Sequence, residues 1–290
     1  MDFVRILLLL LGIIGVWFLY TYLNDALRRL STDTFNPILA FAIGFITNFF
    51  DTLGIGSFAT TTAMLKPLKK VSTKYLPGVL NVGHTIPIIL QAFIFIQIIK
   101  VDILTLITLI VSSVIGSYVG AGKVVHLSLK KIKLYLGIAL IFVALIIVLK
   151  TSGVINNLGQ NNTSVGLTGI KLVLGNIIFF ILGGLMALGV GLYAPAMAAV
   201  YLLGMNPAVA FPIMMSSCAF LMPFASQKFI KEKMYLPKLA LFITLGGIPA
   251  VILAAYKVKS LPIDKLSYVV AVVIIIVSIT YIYESIKMKD

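Results

Sequence analysis

Residues 53–59 read Leu-Gly-Ile-Gly-Ser-Phe-Ala, and residues 188–194 read Leu-Gly-Val-Gly-Leu-Tyr-Ala, 135 positions further along the chain. At the same offset Pro77 meets Pro212. Self-similarity at one fixed spacing indicates an internal duplication. Each copy reads as one long apolar segment that is interrupted by the Gly-x-Gly motif and followed by three uninterrupted apolar segments.

The chain as a whole has the composition of a membrane protein. Of its 290 residues, 60% are hydrophobic and only 11% are charged, whereas an average soluble domain is about 25% charged. Nine apolar stretches are long enough to enter a bilayer, whose core takes about 20 helical residues per crossing. They are 4–23, 36–65, 77–99, 103–122, 134–149, 172–201, 208–227, 236–256 and 267–284. We therefore predict an all-α integral membrane protein.

The positive charge of the chain has a topological explanation. A net charge of +14 would suggest nucleic-acid binding in a soluble protein, but here Lys and Arg lie in short loops, where they act as topology signals. We therefore expect no nucleic-acid partner. The single cysteine, Cys218, lies in an apolar segment and excludes an intrachain disulfide framework.

The apolar pattern divides the chain into four parts. We predict an N-terminal transmembrane helix in 1–35, a first repeat in 36–150, a polar linker in 151–171 and a second repeat in 172–290. The first helix is expected to be retained, because no small-residue cleavage site of a signal peptide follows it. The linker is rich in Asn, Gly, Ser and Thr, and it is the plausible boundary between the repeats.

The two motif-bearing segments, 36–65 and 172–201, allow two interpretations. Each can cross the bilayer once as a kinked helix, or enter and leave on the same side as a re-entrant hairpin of two half-helices. Two crossings divide Lys and Arg 12 to 11 between the two sides, whereas two hairpins divide them 16 to 7. The positive-inside rule favours the uneven division. A hairpin in the second segment alone gives 15 to 8, so the choice stays open.

The hairpin interpretation has an architectural consequence. A repeat of one hairpin and three crossing helices crosses the membrane an odd number of times, so the second copy would be inverted relative to the first. Inverted repeats with broken helices are typical of secondary transporters. We predict seven crossings, with the N-terminus outside and the C-terminus inside.

The glycine breaks predict a binding site. A helix that starts again at membrane depth leaves backbone N–H groups without partners, and a bound anion satisfies them and gains from the helix dipole. The alternative is that the glycines only permit close helix packing. The candidate substrate-binding residues are Gly54, Gly56, Ser57, Thr60, Thr61, Asn81, His84, Gly189, Gly191, Tyr193, Ser216 and Ser217.

Asp51 is the sharpest single candidate. Among nine acidic residues it is the one well inside an apolar segment, and an ionisable group there is by default a functional-site hypothesis. With Asn48 beside it, Asp51 could bind the coupling ion, either H⁺ or Na⁺; alternatively it caps the half-helix that follows. His84 could be an anion ligand or a proton site, or a hydrogen-bonded packing residue.

The sequence carries no signature of an enzyme. It contains two His and one Cys, and none of the P-loop, G-x-S-x-G or H-E-x-x-H motifs. We expect no catalytic activity, no metal ion and no cofactor. Without an ATP-binding domain, accumulation of a substrate would need an ion gradient or an outside partner.

The motifs resemble those of the sulfite exporter TauE/SafE family of prokaryotic membrane permeases. In that family each half opens with a G-x-G-G-G stretch followed by a proline. Here Gly54-Ile55-Gly56 keeps two of the glycines, as does Gly189-Val190-Gly191, which is followed by Pro195. The resemblance covers roughly residues 36–285. It implies transport of a small anion such as sulfite, a sulfonate or a related organic acid.

We therefore expect a permease in a prokaryotic plasma membrane that moves a small anion with H⁺ or Na⁺ as the coupling ion. A homodimer is left open. One rival is a channel or cation permease that uses Asp51 as its cation site. A second rival is a membrane-embedded enzyme or assembly factor.

Overall fold

The computed structural model describes residues 3–96, 100–154, 161–257 and 263–288. Within these ranges there is no β-strand, only an isolated bridge between Ser164 and Met205. Eleven α-helices lie in them: α1 (Phe3–Arg29), α2 (Pro37–Thr52), α3 (Ser57–Leu65), α4 (Leu76–Phe95), α5 (Ile103–Val124), α6 (Leu129–Thr151), α7 (Gly169–Leu188), α8 (Tyr193–Leu202), α9 (Ala210–Lys231), α10 (Pro237–Lys257) and α11 (Ile263–Lys287).

Seven of the described helices are long and apolar enough to cross a membrane. They are Val4–Thr32, Leu76–Phe95, Ile103–Val124, Leu129–Thr151, Gly169–Leu188, Ala210–Lys231 and Pro237–Tyr256. The prediction of an all-α membrane protein is confirmed. The set differs in one member from the seven predicted crossings, because it contains α7 and not α11. Length and hydropathy do not distinguish a crossing helix from the long arm of a hairpin.

The first broken segment, α2–α3, folds back on itself. α2 runs in the same direction as α10, since Leu239 N–H donates to Asp33 and Gly44 packs on the backbone of Ile243. α3 returns, and the chain then enters α4, whose Gly78 packs on Met234. Both ends of α2–α3 therefore lie where α4 and α10 begin. We call α2–α3 the first hairpin.

The second broken segment, α7–α8, also folds back. α7 runs in the same direction as α5, because Leu167 N–H donates to the Thr105 hydroxyl at 2.8 Å near their starts and Gly120 packs on Gly184 near their ends. After α8 the chain returns to the residues that precede α7, where the Asn206 N–H donates to the carbonyl of Ser164 at 2.8 Å. Both ends of this second hairpin therefore lie where α5 begins, at the opposite end of the bundle from the ends of the first hairpin.

Helix pairing in the bundle is reciprocal. The most extensive contacts join α5 to α7, α2 to α10, and α6 to α11. If the predicted repeats 36–150 and 172–290 are exchanged, the pair α5–α7 becomes α10–α2 and the pair α6–α11 stays the same. Glycines make both hairpin pairs close: a Cβ at Gly116 or Gly246 would overlap the carbonyl of Phe180 or Phe41, respectively. Small residues of this kind let membrane helices approach.

The arms of each hairpin are unequal. α2 and α3 contain 16 and 9 residues, and α7 and α8 contain 20 and 10. At about 1.5 Å per residue the long arms measure about 24 and 30 Å. The break in each segment is therefore off-centre, nearer to the C-terminal end of the segment.

Ionic contacts hold the end of the bundle at which α4 and α10 begin, which we call the basic end. Glu284 binds both Lys66, at the end of the first hairpin, and Lys133 of α6, at 2.7 and 2.8 Å. Asp25 of α1 binds Arg29 at 2.9 Å and accepts from the Tyr235 hydroxyl. These contacts fix α1 and the first hairpin to the scaffold at this end.

The predicted linker packs on the bundle where the structure describes it. Residues 155–160 lie outside the described part of the chain. Asp102 caps α5 by accepting from the Thr105 N–H and hydroxyl at 2.8 and 2.7 Å. The Asp102 N–H donates to the carbonyl of Val165 at 2.9 Å. The linker therefore attaches to the start of α5, beside the ends of the second hairpin.

Candidate functional site

The tip of the first hairpin is built around Asp51. Gly54 and Gly56 both have a φ of +93°, which glycine adopts without steric cost, and this lets the chain reverse between α2 and α3. Asp51 Oδ1 then accepts from the Ser57 N–H at 2.6 Å. The carboxylate thus caps the first turn of α3, as an N-cap side chain does. The Lys150 ammonium donates to the Gly54 carbonyl at 3.2 Å.

The tip of the second hairpin is organised differently. α7 ends at Gly189, which has a φ of +109°. The Asn81 side chain donates to the carbonyls of Met186 and Ala187, each at 3.3 Å, and so caps the last turn of α7. At the start of α8 the N-cap residue is Leu192, which offers no side-chain cap. Of the two helix N-termini at the breaks, that of α3 is therefore capped by the Asp51 side chain, whereas that of α8 has no side-chain acceptor among the described hydrogen bonds.

A small cavity lies between the two tips. Its volume is about 20 Å³, and it lies next to the middle of α4 and α6. A cavity of this size holds about one water molecule, so the site is closed to larger ligands in this conformation. The lining residues come from both hairpins and from α4 and α6: Asp51, Ile55, Gly56, Ser57, Phe58, Ala59, Ile88, Val143, Met186, Gly191, Leu192 and Tyr193.

A chain of hydrogen bonds joins the two hairpins through α4. The Tyr193 hydroxyl donates to Gln91 Oε1 at 2.8 Å, and Gln91 Nε2 donates to Asp51 Oδ2 at 2.8 Å. All three side chains are buried, with 5%, 0% and 2% of their surface exposed, respectively. The carboxylate of the first hairpin and the hydroxyl of the second therefore share one amide.

His84 serves the first hairpin rather than the cavity. The Asn48 amide donates to the Gly44 carbonyl at 2.7 Å, so its oxygen faces the ring and accepts from His84 Nδ1 at 3.0 Å. The neutral ring then accepts from the Thr61 hydroxyl at Nε2, also at 3.0 Å. Since Asn48 belongs to α2 and Thr61 to α3, His84 joins the two arms of the hairpin to α4.

The cavity collects some of the predicted site residues and not others. Five of them line it: Asp51, Gly56, Ser57, Gly191 and Tyr193. Six others have the backbone or side-chain roles described above: Gly54, Asn48, Thr61, His84, Asn81 and Gly189. The hydroxyls of Thr60 and Ser216 donate to the backbone of their own hairpin or helix. The buried hydroxyl of Ser217 has no hydrogen-bond partner in the described structure.

Two residues near the site were not among the candidates. Met186 lines the cavity at the position that corresponds to Asp51, and its sulfur lies 3.7 Å from that of Cys218. Gln91 connects Asp51 to Tyr193. A signal for Gln91 existed, because it lies two helical turns after His84 and is polar within an apolar segment, but its partners are 40 and 102 positions away.

The electrostatics of the cavity are dominated by one group. Among the residues that line it, Asp51 is the one acidic side chain, and none is Lys or Arg. In the described part of the chain no cluster of His, Cys, Asp and Glu could hold a metal ion. Positive potential comes instead from the N-terminus of α8, where backbone N–H groups and the helix dipole point towards the tip.

Comparison with protein-family models, with curated proteins and with solved structures finds no match. The fold and the site define the class of protein. It is a polytopic helical membrane protein in which two helical hairpins enter the bundle from opposite ends and meet at a cavity.

Proposed function

We propose that this protein is a secondary transporter that moves a small anion, such as sulfite, a sulfonate or a related organic acid, across a membrane at the expense of an ion gradient. The observation that carries the proposal is the cavity between the two hairpin tips, with Asp51 on one side and the uncapped N-terminus of α8 on the other. Helix N-termini bind anions without needing basic side chains.

The arrangement of the hairpins supports the transporter assignment. They enter from opposite ends, and their packing on α5 and α10 is reciprocal, which is the pattern expected of two inverted repeats of the segments 36–150 and 172–290. In such proteins the site lies at the interface of the repeats, and rocking of one repeat against the other gives alternating access. This interpretation implies seven crossings, by α1, α4, α5, α6, α9, α10 and α11.

A cavity of about 20 Å³ is too small for sulfite, so binding requires the tips to separate. Glycines at both tips favour such a movement because their backbone is conformationally permissive, and the space beside them is not tightly filled: a Cβ at Gly56 would meet no atom within 4 Å, and a Cβ at Gly191 would meet Phe58 at 3.7 Å. The conformation described would then be a closed intermediate between the two open ones.

Asp51 supports coupling to a cation. An anion and an ionised carboxylate in one small cavity repel each other by about 3 kcal/mol at about 5 Å and an effective dielectric constant of about 20. Neutralising Asp51, by H⁺ or by Na⁺, removes that penalty. The anion and the cation would therefore bind together and move together.

The family and the location are part of the same proposal. The TauE/SafE resemblance rests on the two glycine motifs, and both of them form hairpin tips. A prokaryotic plasma membrane, with the basic end inside, is consistent with the accumulation of Lys and Arg at that end.

Flux into proteoliposomes tests the proposal. Purified protein should accumulate ³⁵S-sulfite or ¹⁴C-labelled methanesulfonate only when a pH or Na⁺ gradient is imposed, and protein-free liposomes should not. Gradient-independent flux would point to a channel, and absence of flux for sulfite, sulfonates and carboxylates would refute the anion assignment.

A cation permease is the second candidate, and the presence of Asp51 in a cavity without basic side chains favours it. Uptake of ²²Na⁺, or of protons reported by a trapped pH dye, in a medium with only impermeant anions would support this candidate. Cation uptake that requires a small anion would support the transporter instead.

A further inference from the structure

The direction of each hydrogen bond in the Asp51–Gln91–Tyr193 chain depends on whether Asp51 carries a proton. An ionised carboxylate only accepts, so Gln91 must turn its NH₂ group to Asp51 and its oxygen to Tyr193. The Tyr193 hydroxyl then donates to Gln91, which is the arrangement in this structure, with 2.8 Å at both contacts.

Protonation of Asp51 at Oδ2 reverses this chain. The new O–H group donates, so Gln91 must offer its oxygen to Asp51, and a rotation of the amide turns its NH₂ group to Tyr193. The Tyr193 oxygen then accepts, and its own O–H is left without the acceptor that it had. Asp51 Oδ1 continues to accept from the Ser57 N–H, so the cap of α3 is the same in both states.

The released hydroxyl belongs to a residue that lines the cavity, at the first position of α8. With its proton no longer bound to Gln91, the Tyr193 hydroxyl becomes available to donate to another acceptor, such as an anion that enters between the tips. One protonation therefore removes the negative charge of Asp51 and adds a hydrogen-bond donor on the opposite hairpin. Both changes favour an anion.

We infer that Gln91 is a positioning residue that couples the charge of Asp51 to the direction of the Tyr193 hydroxyl, so that the cavity takes a proton and an anion together. The inference rests on the proposed function and identifies H⁺ as the coupling ion. The proton comes from water and forms one O–H bond on Asp51; it returns to water when the anion leaves.

Other titratable groups surround Asp51 from four elements. Tyr193 of α8 and Cys218 of α9 interact electrostatically with Asp51. Lys150 of α6 binds the Gly54 carbonyl of the same tip, and His84 lies on α4. His84 has both ring nitrogens occupied by Asn48 and Thr61. The experiment must therefore assign each titration step to Asp51 itself.

The test needs no substrate. In protein labelled with 3-fluorotyrosine, ¹⁹F NMR reports the Tyr193 hydroxyl, and the Tyr193→Phe variant identifies its signal among the 12 tyrosines. Infrared spectroscopy follows the carbonyl band of protonated Asp51, which Asp51→Asn removes. Across about pH 4 to 10, we expect the Tyr193 signal to shift with the same midpoint as the Asp51 band.

Variants separate coupling from coincidence. In Gln91→Leu, and in Gln91→Met if the first is unstable, the Asp51 band should still titrate while the Tyr193 signal stays constant. In Asp51→Asn, whose NH₂ group imitates the protonated acid, the Tyr193 signal should hold its low-pH position throughout. A Tyr193 signal that ignores Asp51 in the wild type, or a constant Asp51 band, would overturn the inference.

The failure of this inference differs from a failure of the proposed function. If Tyr193 follows Asp51 but no sulfite or methanesulfonate flux occurs, the switch exists and the anion assignment is wrong. If flux occurs while Tyr193 and Asp51 titrate independently, the transporter assignment stands and Gln91 has no coupling role.

Discussion

Replacement of Asp51 by Asn should make anion binding independent of pH. The Asn oxygen can accept from Ser57 N–H as the carboxylate does, and its NH₂ group can donate to Gln91, so the fold of the hairpin is retained. The charge is lost. If the ionised carboxylate lies about 5 Å from the anion, its removal gains about 3 kcal/mol at an effective dielectric constant of about 20, or roughly a hundredfold in affinity.

Methanesulfonate is the appropriate probe, because it keeps one negative charge throughout the range of about pH 4 to 10 over which binding is measured. Equilibrium binding to the wild type should weaken as Asp51 ionises, whereas Asp51→Asn should bind tightly at low and high pH alike. The variant should retain counterflow exchange and lose accumulation driven by a pH gradient.

Two controls make this result specific. Asp25→Asn removes a carboxylate that binds Arg29 and Tyr235 away from the cavity, and it should leave methanesulfonate affinity unchanged. Asp51→Leu leaves two buried donors, Ser57 N–H and the Gln91 amide, without an acceptor, at a cost of about 1–3 kcal/mol each. Asp51→Asn protein that keeps the wild-type pH dependence of binding and of accumulation would refute the reasoning.

Three further predictions concern the hairpins and the linker. Gly56→Leu should abolish flux at normal abundance, because its side chain would enter the open space at the tip and the backbone conformation there, with φ +93° and ψ +131°, costs a non-glycine residue about 1–3 kcal/mol. Gly122→Leu, also in open space but in α5, should retain flux. Single cysteines at His126 and Thr163, in a Cys218-free background, should label from opposite sides of intact cells, with Thr163 outside, and labelling from one side would contradict the topology. Hydrogen bonds from the N–H and hydroxyl of Thr105, in the first turn of α5, lower the pKa of Asp102. The stabilisation that the ionised Asp102 gives to the fold should therefore be present at neutral pH and lost as pH falls below about 4. Asp102→Ala should lower the free energy of unfolding by about 1 kcal/mol, and an unchanged melting temperature would show that the cap does not stabilise the protein.

The sequence by itself determined the class of protein and the place of the breaks. Apolar stretches of the right length predicted a helical membrane protein, because a bilayer leaves a chain few other ways to satisfy its backbone. The repeated Gly-x-Gly motif predicted where helices would be interrupted, and both interruptions occur there. These features are local in the chain, so local patterns reveal them.

The sequence also singled out Asp51, but its two interpretations, helix cap and ion site, could not be separated. Both remain compatible with the structure, in which one carboxylate oxygen caps α3 and the other faces Gln91. Similarly, the sequence allowed His84 to be an anion ligand, a proton site or a packing residue, and the structure adds its hydrogen bonds to Asn48 of α2 and Thr61 of α3.

Tertiary structure alone decided what the broken ends bind. Asn81 caps α7 from 105 positions away, and Tyr193 meets Gln91 across 102 positions. A sequence pattern gives the face of a helix on which a residue lies, but the partner across the interface depends on crossing angle and relative depth, which packing sets. The uncapped N-terminus of α8 is a property of this kind, since it becomes evident only once every neighbouring side chain has a position.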